Sequence, residues 1–290
     1  MKENKFEIAG LTVTVVGDSD YLYEPMCNFA CDTEGEADIL ITFAKDDWNG
    51  NYPTETLVKS ELIHVYETES TYIVRFNEAK WVECYICDKN IGKSVIYLTE
   101  RGRTKKVEYA LDREELMYAV RDSFLFHAQK AGRIAVHSAS FVYREKVWLF
   151  SASSGTGKST HVSMWHKENY PITDFNGDLA ICYLEKGVAL AAGSPWCGTS
   201  GLYCNQKTPL GGVLYLLRAD SNSVEKLSPA EAIMRLSARC LTPNWSVELM
   251  NRNVDTAISL APLMISGVLY CTPEGEAAQV SKTFIDSNLN

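Results

Sequence analysis

Seven consecutive residues, Ser154-Gly155-Thr156-Gly157-Lys158-Ser159-Thr160, combine two glycines, one cation and four hydroxyls. Gly155 and Gly157 allow a tight turn that places successive N–H groups around phosphate oxygens. Lys158 supplies a mobile cation for the outer phosphates, and the Ser159 hydroxyl can join the shell of a Mg2+ ion. The apolar run Val147-Trp148-Leu149-Phe150 before the loop reads as a buried strand. Val162, Met164 and Trp165 after it have helical spacing, so a helix N-terminus faces the same oxygens. Strand, glycine loop, lysine, hydroxyl and helix make a nucleotide phosphate site out of Ser154 to Thr160. The strict pattern asks for a glycine where Ala152 stands, which alanine satisfies if its φ is negative. The competing reading is a small-residue turn that contains Gly-Lys-Ser by chance; the correctly placed strand and helix argue against it.

Three further residues could act on a bound nucleotide. Asp178 follows Asn176-Gly177 and precedes an apolar strand. By itself it is a turn residue; beside a phosphate loop it is a carboxylate able to hold Mg2+. His137 lies on an apolar strand, where a satisfied core histidine and a ligand-facing one are both open readings. Asp174, four residues before Asp178, is a second acid, and Phe175-Asn176-Gly177 can turn the chain because Asn and Gly tolerate positive φ. Trp196, in the loop Gly193-Ser194-Pro195-Trp196-Cys197-Gly198, is either a platform for substrate or base, or a lid over the core. Cys27/Cys31 and Cys84/Cys87 could supply four zinc thiolates. Cys84-Tyr85-Ile86-Cys87, however, sits in an apolar stretch and reads as a buried strand.

These groups need elements to position them. Phe6 to about Thr104 is rich in short β-branched and aromatic runs at 11–16, 39–43, 72–76 and 95–98, punctuated by Asp/Gly/Asn turns. The expectation is an antiparallel, mainly β domain over residues 1–110, with nothing in it that reads as catalytic. The composition changes near Lys105, and Asp112 is placed to cap a helix with Leu116, Val120, Phe124 and His127 on its apolar face, ending at Gly132. That helix reads as a bridge into a second domain, 111–290. A hairpin, 134–142 and 147–150 around Arg144-Glu145-Lys146, leads into the loop. A second hairpin turns at Glu185-Lys186-Gly187, and a strand is expected at 212–217. Ser228-Pro229-Ala230-Glu231 carries the cap, first-turn proline and glutamate of a helix start. A helix at 255–263, a strand at 267–271 and a final helix from Pro273 follow.

Composition bounds the function. The 290 residues are 46% hydrophobic and 22% charged, enough to bury a sizeable core. A net charge of −9 argues against a general nucleic-acid binder, which needs a basic face. No apolar stretch is long enough to span a bilayer, since Ala257 to Cys271 is short and broken by Pro262 and Gly267. The odd number of cysteines, nine, and their scatter through apolar contexts fit a reduced, cytoplasmic protein.

Taken together, His137-Ser138-Ala139-Ser140, Ser154 to Thr160 and Asn176-Gly177-Asp178 resemble, in order and spacing, the HPr kinase and phosphoenolpyruvate carboxykinase superfamily. The histidine is similar to that of the carboxykinases' His-Cys-Ser-Ala-Asn, and the loop to their Ser-Gly-Thr-Gly-Lys-Thr-Thr. Asp178 resembles the second acid of the Asp-Asp pair. Gly193-Ser194-Pro195-Trp196 and Tyr270-Cys271-Thr272-Pro273-Glu274 are most similar to bacterial HPr-kinase-like proteins, some found beside peptide-modification genes. The likeness covers roughly residues 111 to 290. It implies an α/β fold with a mixed-sheet P-loop kinase core, preceded here by the mainly β N-terminal domain. It also implies transfer of the γ-phosphate of ATP, with Mg2+, to a serine-like hydroxyl of a small molecule, peptide or protein. Lys158 would grip the β- and γ-phosphates, Ser159 and Asp178 would hold Mg2+, and His137 would sit by the metal or the transferred group. The chain departs from the family in two places: Gly177 replaces the first acid, used as general base, and the Glu-Ile-Arg-Gly signature is missing. Asp174 is the expected substitute base, facing the nucleotide. HPr itself is therefore not carried over as the acceptor. A nucleotide-binding regulator or scaffold without turnover is the second reading, and association with further copies of the chain is compatible with either.

Overall fold

The computed structural model describes residues 2–104 and 114–289. The expected cap at Asp112, the change in composition near Lys105 and the boundary at 110/111 lie outside the described residues. The chain divides into two units, Met1–Ala131 with Pro243–Met250, and Gly132–Thr242 with Asn251–Asn290.

The first unit is built on β1 (Lys2–Ile8), β2 (Leu11–Gly17), β3 (Ile39–Phe43), β4 (Val58–Lys59), β5 (Ile63–Glu67), β6 (Thr71–Phe76), β7 (Val82–Asp88) and β8 (Lys93–Leu98). They form one sheet in the order β1-β2-β3-β8-β7-β6-β5-β4. The expectation of an antiparallel sheet is corrected here: β2 pairs with β3, and β3 with β8, in parallel. The reason lies in the connections. Tight turns make the neighbouring hairpins, but 3-10 turns at Ser19–Tyr21 and Glu24–Phe29 carry the chain across before β3 begins, and only such a crossover allows parallel pairing. A short helix α1 (Glu100–Thr104) follows β8, and α2 (Glu114–Lys130) packs on the sheet. The Glu115 carboxylate accepts from the N–H groups of Trp81 and Val82 at 2.8 and 3.0 Å. His127 is buried, with Nε2 2.9 Å from the Ser94 hydroxyl, and burial pushes its pKa down to about 4. Cys84 and Cys87 are fully buried on β7. Burial is the first cause that pushes both thiols up to about 12, which disfavours the thiolate a metal needs. Residues 243–250 join this unit: the Gln129 amide donates to the carbonyls of Pro243 and Leu249, and the Tyr72 hydroxyl to Ser246.

The second unit carries the phosphate-loop sequence. It contains β9 (Arg133–Tyr143), β10 (Lys146–Ser151), α3 (Lys158–Lys167), β11 (Thr173–Asn176), β12 (Leu179–Glu185), β13 (Val188–Ala192), β14 (Lys207–Arg218), β15 (Ser223–Lys226), α4 (Pro229–Ala238), β16 (Ile265–Cys271) and α6 (Glu276–Asn288). Helix α5 (Val247–Leu260) contributes its residues 251–260. The expected hairpins form: β9 and β10 join through Arg144 and Glu145, both at positive φ, and β12 and β13 through Lys186 and Gly187. The strand β11 lies in a stretch read from sequence only as a turn. The sheet runs β10-β9-β12-β13-β14-β16-β15, and β10 also pairs with β14 in parallel. The two long strands make this possible, because β9 and β14 each bond different neighbours along their two halves.

Side-chain alternation along β10 sends Trp148 and Phe150 to one face and Val147 and Leu149 to the other. On the first face they meet α3 and α6 in a cluster with Phe141, Trp165 and Ile285. The second face meets Leu236 of α4 and Ala257 and Leu260 of α5. Helix α4 starts on the expected capping box, with the Ser228 hydroxyl accepting from the Glu231 N–H and the Glu231 carboxylate accepting from that of Ser228. Covered on both faces, β10 is fixed, and the loop leaves its carboxyl end, where open α/β sheets bind ligands.

Candidate functional site

The loop between β10 and α3 has the conformation its glycines permit. Gly155 and Gly157 take φ of +74° and +117°. Ala152 has no positive φ and is buried, so alanine is accommodated at that position. Gly157 is the N-cap of α3, and no side chain caps that helix, which leaves its first N–H groups available to an anion. The helix is held firmly. Trp165 is wholly buried, 4.6 Å from the Phe141 ring and 5.2 Å from that of Tyr170, and its Nε1 donates to the Ser281 hydroxyl of α6. His161 is buried one turn earlier, and burial holds its pKa down to about 3, so it packs as a neutral ring.

Three of the expected residues converge at the start of α3. The His137 Nε2 lies 3.0 Å from the Lys158 Nζ and 3.2 Å from the Asp178 Oδ1. Strand register explains the meeting, since His137 pairs with Leu179 across β9 and β12. The Ser138 N–H also donates to the Asp178 carbonyl at 2.9 Å. Lys158 is half-buried, not solvent-facing as a free loop lysine would be. Burial is the largest cause lowering its pKa; Asp178 opposes that shift and Arg239 adds to it.

The turn before Asp178 differs from expectation. Neither Asn176 nor Gly177 takes a positive φ. Instead the buried Asn176 side chain makes the turn: its Oδ1 accepts from the N–H groups of Asp178 and Leu179 at 2.9 and 2.7 Å, an Asx-type turn. Its Nδ2 donates to the Ser194 carbonyl. Gly177 is glycine for want of room. A Cβ there would lie 1.8 Å from the Ser200 Oγ and 2.6 Å from the Ser200 Cβ. This explains why no acid occupies the position. We expect Gly177→Ala to lose about 1–3 kcal/mol through overpacking, and Ser200→Gly on the same chain to restore most of it. Urea unfolding checks this, and an unchanged midpoint in the single variant would refute the contact. Gly198 is the counterpart on the other side, where a Cβ would come within 3.1 Å of the Asp178 carboxylate carbon.

Asp174 is placed differently from the other three. On β11, its Oδ1 bonds the Nε2 of His166 at 2.8 Å. It lines a cleft of about 120 Å3 shared with Ser159, Ser163, Gly177 and Ser200. Asp174 thus lines a cleft that runs along α3 and is bonded to a histidine of the helix's last turn, which sequence reasoning passed over, rather than joining the cluster at the helix start. Trp196 is only 2% exposed, which removes the platform reading: it is packed inside the fold. Two arginines were also missed. Arg218, at the end of β14, donates to the Gly155 carbonyl, and Arg239, after α4, to the Ser153 hydroxyl at 3.1 Å. Both sit at element ends far along the chain, with no local pattern to mark them. On the far side of the loop a cavity of about 360 Å3 is lined by Gly155, Gly157, Thr160, Leu216, Arg218 and Pro273, a size suited to a small-molecule ligand. Among the described residues no group of three or more His, Cys, Asp or Glu side chains is arranged to hold a metal. Ser159 and Asp178 would suffice for a Mg2+ that also binds phosphate oxygens.

No protein-family model matches the sequence, and no curated protein is significantly similar to it. Among solved structures the chain is similar to the HPr(Ser) kinase/phosphatase from Coxiella burnetii, with a TM-score of 0.33 and 9% identity. The likeness covers 53% of this chain and 90% of that one. It is a partial likeness of fold, and no step of the chemistry below rests on it. The fold itself is mixed α/β with two mixed sheets. Among the described residues no helix is long and apolar enough to cross a membrane.

Proposed function

We propose that the chain binds ATP with Mg2+ at the loop of residues 154–160 and transfers the γ-phosphoryl group to a hydroxyl. The observation that carries this reading is the contact of His137 with both Lys158 and Asp178 at the mouth of an uncapped helix. A cation for the outer phosphates, a carboxylate for Mg2+ and free N–H groups are the parts phosphoryl transfer uses, because its catalysis is mostly positioning and charge stabilisation. Ser154 to Thr160 would cradle the phosphates, with Ser159 and Asp178 on the metal and Arg218 and Arg239 adding positive charge beside the loop. The larger cavity would take the base and sugar. The acceptor class is a hydroxyl on a small molecule, peptide or protein.

The tightly packed Gly177 favours a second reading, a nucleotide-binding regulator without turnover, since an acid in that place would meet the Ser200 side chain. Calorimetry with MgATP, followed by incubation with γ-labelled ATP and a cell extract, separates the two. Binding with a labelled product supports the kinase. Binding without one supports the regulator, and absence of MgATP binding defeats both.

A further inference from the structure

The cleft beside α3 contains a histidine–carboxylate pair that joins the helix to β11. Ser159, Ser163 and His166 recur at helical spacing, so they share one face of α3. Opposite them stand Asp174, Gly177 and Ser200. The His166 Nε2 bonds the Asp174 carboxylate at 2.8 Å, and both side chains are partly exposed, at 47% and 32%. A carboxylate on one ring nitrogen fixes the proton there and leaves the other nitrogen, Nδ1, as an acceptor. An ion pair held only for stability at such exposure would contribute little.

We propose that this cleft receives the acceptor hydroxyl and that His166 takes its proton. The assignment rests on the kinase reading above. In the step, the hydroxyl oxygen forms a bond to the γ-phosphorus as the bond from that phosphorus to the bridging oxygen breaks, and ADP leaves with the electron pair. The hydroxyl proton passes to His166 Nδ1, and Asp174 stabilises the resulting imidazolium while remaining ionised. Asp174 therefore acts through His166, because its Oδ1 is already engaged. Geometry supports this division. Seven residues separate Ser159 from His166, about 10 Å along the helix at 1.5 Å per residue. The acceptor oxygen must lie within hydrogen-bond reach of His166 Nδ1 and beside the phosphoryl group at Ser159, and the cleft that Ser159, Gly177 and His166 line together is where one oxygen can meet both conditions. At about 120 Å3 the cleft is smaller than the pockets that hold whole ligands. It fits a side-chain tip, and the Asp174 carboxylate in its wall disfavours an anionic one. The acceptor is thus an uncharged, serine-sized hydroxyl at the end of a larger molecule.

The test uses the full chain with MgATP and N-acetylserinamide as the probe, following phosphoserine by phosphorus NMR and ADP release with water as the competing acceptor. His166→Asn and His166→Gln are expected to keep MgATP affinity within about twofold and to slow transfer by roughly 100-fold or more, the range for general-base help. Asp174→Asn should slow transfer in the same direction, with the ring-nitrogen NMR signals of His166 showing a changed tautomer. His166 variants that transfer at the wild-type rate overturn the assignment. A wild-type protein that binds MgATP yet transfers phosphate to neither the amide nor water overturns the kinase reading and the assignment with it, and one that binds no MgATP overturns the nucleotide site altogether.

Discussion

Replacing Lys158 with alanine is expected to weaken MgATP binding by roughly 10- to 150-fold, the equivalent of one charge-assisted hydrogen bond of about 1.5–3 kcal/mol. The effect on transfer should be larger. A preorganised charge aimed at the transferring group is worth on the order of 100- to 1,000-fold in rate, and the variant would also leave the Asp178 carboxylate beside the proposed phosphate site without the Lys158 charge. Loss of fold is not the cause. Burial is the main influence on the Lys158 ammonium and lowers its pKa, so the folded protein disfavours the charged form relative to water. Removing that charge from the empty protein therefore relieves a penalty, although the contact with His137 goes with it. Thermal unfolding should accordingly change little while calorimetry shows the weakened binding. An unchanged ATP affinity would refute the phosphate-loop reading, and a collapse of thermal stability would make Lys158 a structural residue.

How much of this was legible in the chain depends on how far apart the partners lie. The loop and its helix are local, so Ser154 to Thr160 and the hairpin before them could be read directly. Asp178 stands in the sequence as a turn residue before an apolar strand, and that much was legible; its contact with His137 comes from the pairing of β12 with β9, which no local pattern marks. The contacts that cross between remote segments left no such trace. Gly177 looks like a flexible turn residue, yet its constraint comes from Ser200, in a later loop. Asn176 was read for its tolerance of positive φ; its buried side chain instead accepts from the N–H groups of Asp178 and Leu179 and donates to the Ser194 carbonyl, while its backbone bonds Ser140. His166 lies eight residues before Asp174, on an element read only for its apolar face. Nor does an amphipathic pattern say which sheet a helix will cover. The stripe of Leu116, Val120 and Phe124 was clear, but its packing on β7, where Glu115 accepts from the N–H groups of Trp81 and Val82, joins segments 33 to 34 residues apart. The parallel pairings of β3 were hidden because alternation is the same in parallel and antiparallel strands, and only the connections distinguish them.

Asp178→Asn should separate metal binding from nucleotide binding. Asparagine keeps the shape of the side chain, so it should fit the space that Gly198 leaves beside the carboxylate, and the backbone bonds from Asp178 to Asn176 and Ser138 do not involve the replaced atoms. Unfolding midpoints should therefore stay close to the wild type. The charge is what changes. Mg2+ demands hard oxygen ligands and is held in such sites by one or two carboxylates plus the phosphates, so a neutral amide removes the only acid in the cluster of His137, Lys158 and Asp178. Transfer should fall by at least about 100-fold, the scale of losing one transition-state electrostatic group. Binding of ATP without Mg2+ should persist, or tighten, because a negative charge beside the phosphates is gone. Calorimetry with and without Mg2+ decides the matter: wild-type protein should bind more tightly with the metal, and the variant should lose that difference. If both conditions weaken equally, Asp178 shapes the turn and does not hold the metal. In that case the loop would keep the contact of His137 with Lys158 and the two arginines that bond Gly155 and Ser153, and the metal would have to rest on Ser159 and the nucleotide alone.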